Sequence, residues 1–187
     1  MNNVFRRFAS PSLALALVLA AASPSRTLVM PFENLSLTEH AWLSEAFAEA
    51  VLAHLSACGE EVVERAERNR RLLEMGLPLD TPLTRASVIE LGQSLVATRA
   101  VVGTFRLEEG RIQADARIVD LETAALIGVI KDEGALADLL VLQNQLAKNI
   151  LRLEGASLPE AFSVSAARRK GIPFDAYQSF ARALTRE

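Results

Sequence analysis

Residues 100–131 read AVVGTFRLEEGRIQADARIVDLETAALIGVIK, and the apolar period in this stretch changes from helical to alternating. Three strands are expected, over 100–107, 111–121 and 124–131, with hairpin turns at Glu108-Glu109-Gly110 and Glu122-Thr123. In the middle strand Ile112, Ala114, Ala116 and Ile118 share one face, while Gln113, Asp115 and Arg117 share the other. One face is therefore dry and the other wet.

Upstream of this meander the pattern alternates strand and helix. Arg26 to Phe32 reads as a buried strand closed by Pro31, because Leu28, Val29 and Met30 in succession suit a sheet covered on both faces. Pro31-Phe32-Glu33-Asn34 is then expected to turn into the first helix, with Phe32 packing under it and Asn34 making local turn hydrogen bonds. Ser36-Leu37-Thr38-Glu39 has capping-box spacing, so the helix is expected to start there and run to about Ala57. Leu43, Phe47, Val51, His54 and Leu55 form its apolar stripe, and Glu39, Glu45 and Glu49 turn away from it. Gly59 ends it.

A short strand at 61–63 follows, then a charged helix from Arg65 to Met75 stopped by Gly76. A third helix over 85–96 carries Val88, Ile89, Leu91, Leu95 and Val96 on its apolar side. Past the three strands, a helix over 136–153 repeats leucine at helical spacing and should lie across the sheet. The fold class is α/β (α+β), a mixed sheet of about five strands with packed helices.

The two ends read differently. Residues 1–25 have the form of a signal peptide: Arg6 and Arg7, an apolar run over 12–22 too short to span a bilayer, and small residues at 20–22. Its removal deletes two arginines and no acid, moving the formal charge from -3 to -5. No cysteine follows the apolar run, so no lipid anchor is inferred. Residues 155–173 read as a linker, and 174–187 as a C-terminal helix in which Tyr177, Phe180 and Leu184 recur on one side. These three are the candidate interaction residues.

Several chemistries lack their residues. One cysteine, Cys58, excludes an intrachain disulfide. No glycine cluster exists to cradle phosphate, and no Gly-x-Ser-x-Gly elbow is present. His40 and His54 lie about 21 Å apart along one helix and cannot share a metal. His54 and Cys58 could form half a site, but nothing completes it. The arginines at 65, 68, 70 and 71 are spaced for helix-surface pairs with Glu64, Glu67 and Glu74, so a solvated face outweighs nucleic acid as their role. Asp115, Asp120 and Glu122 read as strand-surface and turn residues. No catalytic, cofactor or metal site is expected.

The stretches LVMPFENLS and WLSEAFAEAVLAHL, then VVERAERNRRLLEMG and the run ASVIELGQSLVATRAVVGTFRLEEGRIQADARIVDLET, resemble in their order the TolB N-terminal-like domain. The same domain type occurs in curli-secretion (CsgG-like) and flagellar outer-membrane (FlgO-like) proteins. The resemblance covers residues 26–154. The helix LADLLVLQNQLAKNIL followed by GIPFDAYQSFARAL looks like proteins in which this domain precedes tetratricopeptide repeats, so 174–187 would be the start or remnant of a helical repeat array. The resemblance implies a non-catalytic exported protein of the periplasm or outer envelope, acting as an interaction or scaffold module with a protein partner. The alternative it implies is an oligomeric subunit of a secretion or envelope assembly. A small-ligand-binding protein or hydrolase using Asp115 or His54 is a weaker third. Neither nucleic acid nor a stable membrane span after signal cleavage is expected.

Overall fold

The computed structural model describes residues 25–36, 40–79, 82–153, 160, 162–163 and 172–184. The signal-peptide expectation and most of 155–173 lie outside the described residues.

Six strands form one mixed sheet: β1 (Arg26–Val29), β2 (Glu33–Asn34), β3 (Glu61–Val62), β4 (Arg99–Glu108), β5 (Arg111–Asp120) and β6 (Leu126–Ala135). Their order is β3-β1-β4-β5-β6, with β2 pairing onto β4. β1 is parallel to β3 and β4, while β4, β5 and β6 are antiparallel neighbours. Among the described residues, the helices α1 (Ala41–Ala57), α2 (Arg65–Glu74), α3 (Arg85–Ser94), α4 (Leu139–Leu153, after a 3-10 turn at Leu136–Asp138) and α5 (Phe174–Leu184) accompany them.

The sixth strand is the one that sequence reading missed. Pro31 does not end pairing with β4: Met30 N–H donates to Val101 O, pairing resumes at Glu33, and Leu35 N–H donates to Phe105 O. Five residues from Val29 to Glu33 oppose four from Val101 to Thr104, so the chain bulges at Pro31-Phe32 and returns. Gly103 makes room for this bulge. A Cβ there would sit 2.2 Å from Phe32 Cε1, and the freed space lets the Phe32 ring stack on Phe47 at 5.2 Å. Asn34 does make the expected turn bond, accepting from Ser36 N–H at 2.9 Å.

The start of α1 also departs from expectation. The helix begins at Ala41, and Ser36 Oγ accepts from Leu107 N–H at 2.8 Å instead of capping it. Edge pairing took the hydroxyl that local spacing assigned to a cap.

Each face of the sheet carries its own core. Alternate residues of β4 and β5, including Val101, Phe105, Ile112, Ala114, Ala116 and Ile118, are buried beneath α1, α4 and α5. On the other face Leu28, Met30 and Ala100 pack against Leu72 of α2, Val88 and Leu91 of α3, and Leu95 at the C-terminal cap of α3. Val96 does not join that stripe: it lies at φ 56°, 79% exposed, where the helix turns out. The β4–β5 turn places Glu109 and Gly110 both at positive φ, the form that matches strand twist in a two-residue hairpin.

Candidate functional site

Three surfaces could carry function: the cleft at the end of β1, the face of α5, and the outer edge of β6. The connections β1-α1-β3 and β3-α2-α3-β4 put helices on opposite sheet faces and diverge at the carboxyl end of β1. Open α/β sheets place their crevices at such a divergence. Here the crevice is a cleft of about 1070 Å3, reached by Met30, Asn34, His40, Arg65, Asp115 and Arg117 among its lining residues.

Beneath it lies a buried arginine. Arg68 of α2 is 1% exposed; its guanidinium donates to Val29 O at 3.0 Å and to Glu45 Oε1 of α1 at 2.7 Å. Arg65 Nε lies 3.6 Å from Glu45 Oε2. Glu45 thus faces inward, contrary to the expectation for α1, because two arginines from α2 converge on it. Arg70 alone of the proposed helix-surface pairs is seen, 4.0 Å from Glu74. Arg71 binds Glu74 as well, at 3.1 Å, and Glu67 is drawn to Arg26 at 2.6 Å. The cluster is a structural clamp on β1, α1 and α2, with its charges compensated within the chain.

His54 is fully buried, its Nε2 2.6 Å from Asn144 Oδ1 of α4 and its ring 5.0 Å from that of Phe162. Phe162, in the segment read as linker, is itself buried against the main core. Cys58 caps α1, and burial followed by the nearby Glu60 charge pushes its thiol pKa up, away from the reactive thiolate. Asp120 is committed to the β5–β6 turn: Thr123 N–H, then Thr123 Oγ1 and Glu122 N–H bond to it and hold its pKa down. Asp115 pairs with Lys131 at 3.5 Å. Among the described residues no group of three or more His, Cys, Asp and Glu could hold a metal ion.

The three residues of the C-terminal stripe divide. Tyr177 is 3% exposed and its hydroxyl donates to Ala46 O at 3.1 Å, a carbonyl that also accepts from Gln143 Nε2. Leu184 is half-buried, and its carbonyl accepts from Arg65 Nη2. Phe180 stays 49% exposed. α5 therefore rests on α1, and only Phe180 of the three faces outward.

β6 was not singled out by residue, yet only one of its ten residues, Ile130, is buried. It ends the sheet, runs ten residues, and carries Leu126, Ile127 and Val129 as exposed apolar side chains. The opposite edge, β3, is two residues long.

With this geometry in view, solved structures supply the comparison. The C-terminal domain of LpoB from Salmonella enterica matches 62% of this chain and 86% of its own, at 15% identity and TM-score 0.54. The chain shares that fold. Lipoprotein GNA1162 from Neisseria meningitidis matches 73% of this chain and all of its own, at 18% identity and TM-score 0.51. TolB from Acinetobacter baumannii is similar over 71% of this chain and 28% of its own, at 10% identity and TM-score 0.47. No family model matches the sequence, and no curated protein matches it.

Proposed function

We propose that the protein is a non-catalytic interaction module of the cell envelope, exported by its N-terminal segment, and that β6 is the surface through which it meets its partner. The observation that carries this reading is the ten-residue edge strand, whose outward backbone groups and exposed Leu126, Ile127 and Val129 form a template for another chain. Three of the groups that could supply catalysis are engaged elsewhere: His54 in the core, Asp120 in a turn, Arg68 in a clamp. The fold shared with a lipoprotein and the signal-like residues 1–25 support the envelope setting.

A photo-cross-linking amino acid placed at Val129 in cells tests the reading, with Arg70 on α2 as the control position. Discrete protein adducts from position 129 and none from position 70 are expected. Equal yields at both positions, or none at 129, contradict it.

A further inference from the structure

The charge pattern of β6 identifies the partner that its edge fits. On the sheet face away from α4, Lys131 lies 3.5 Å from Asp115 and Glu133 lies 3.1 Å from Arg111, both partners being on β5. An antiparallel copy of β6 related by a two-fold axis normal to the sheet keeps each face on its own side, and if the axis passes midway between the two copies of residue 132 it sets 131 opposite 133. Lys131 then meets Glu133 of the second copy, and Glu133 meets its Lys131. Asp115, Lys131, Glu133 and Arg111 become an alternating row of charge across four strands, and it occurs twice. Cross-strand pairs of opposite sign stabilise a sheet, whereas like pairs oppose it.

Resting on the edge reading above, we propose that β6 pairs antiparallel with β6 of a second copy of this chain in that register, giving one continuous sheet. The other face accommodates it. Gly128 and Gly134 lie directly beneath Leu153 and Leu142, so α4 sits over the edge strand and comes alongside its copy. Ile130 falls opposite Gly134 of the second copy. Asp132 meets its own counterpart, each held by Asn149 Nδ2 at 3.0 Å; this like pair subtracts from the gain.

The register makes an uncommon prediction about charge variants. Lys131→Glu places Glu against Glu, and Glu133→Lys places Lys against Lys, so each variant alone loses the dimer. Mixed together, they complement at both pairs. Light scattering behind size exclusion, on the exported protein purified from cells expressing the full chain, should show a wild-type dimer, at least tenfold weaker association of each variant, and a dimer in the equimolar mixture. Because both substitutions also face β5 charges, a second test uses Asp132→Cys in a Cys58→Ser background. Residues opposite one another lie within disulfide range, so oxidation should give a covalent dimer, with Glu109→Cys giving none. A wild-type monomer at high micromolar concentration, a mixture that stays monomeric, or no disulfide at position 132 overturns the proposal. If the wild type is monomeric yet Val129 still cross-links to another protein in cells, the edge reading stands and the second copy is excluded.

Discussion

Arg68 shows how far a single residue can depart from its local pattern. Its spacing from Glu64 is that of a surface ion pair, and helical periodicity has no means of reporting that β1 ends beside it. The structure turns it inward onto Val29 O and Glu45. Removing one partner from a buried pair leaves the other desolvated and uncompensated, which costs about 3 to 5 kcal/mol. Arg68→Ala should fall at about 3 kcal/mol, since Arg65 remains near Glu45. Arg70→Ala, whose side chain is 72% exposed, should change stability by less than about 0.5 kcal/mol. Urea denaturation of the two variants measures the contrast, and equal effects would mean that the clamp does not bear on stability. Gly103 was equally unreadable: its need for no side chain comes from Phe32, 71 positions earlier in the chain, whose ring lies over it.

At the scale of elements, periodicity read well wherever an element makes its own pattern. The three long strands, the alternation of β5 and the leucine stripe of α4 were all legible from spacing alone. β6 runs four residues past its expected end, to Ala135, because Asp132 and Glu133 tolerate a strand whose faces are only half covered. β2 escaped because two residues have no period, and Pro31 is a local stop signal that pairing with β4 overrides. The candidate residues of α5 were legible as a stripe but not by destination, since sequence shows that Tyr177 and Phe180 share a side without showing that α1 lies against one of them. Tyr177→Phe should cost about 1 kcal/mol, the hydroxyl bond to Ala46 O. Tyr177→Ala should cost about 3 to 5 kcal/mol by emptying a core position. Phe180→Ala should be nearly neutral. Thermal and urea melts of the three variants check this order, and a large loss at Phe180 would reverse the assignment of the two aromatic rings.

For the whole molecule, two cores on opposite faces fix a sheet that is closed at one side and open at the other. β3 ends it with two residues, too short to recruit another strand, while β6 ends it with ten. The topology, with helices diverging at the end of β1, also forms the cleft, in which Glu45 pairs with Arg65 and Asp115 with Lys131. The sequence resemblance to TolB-like domains and the structural match to the LpoB C-terminal domain agree on the fold, and fold alone does not choose a partner. We propose that the exposed edge and the order of charge along it make that choice. Hydrogen exchange at two protein concentrations measures that edge directly, because pairing protects outward-facing amides that an isolated edge leaves to solvent. Exchange in residues 126–135 should slow as concentration rises, while residues 61–62 at the opposite edge stay unchanged. Exchange in β6 that is independent of concentration would contradict the account.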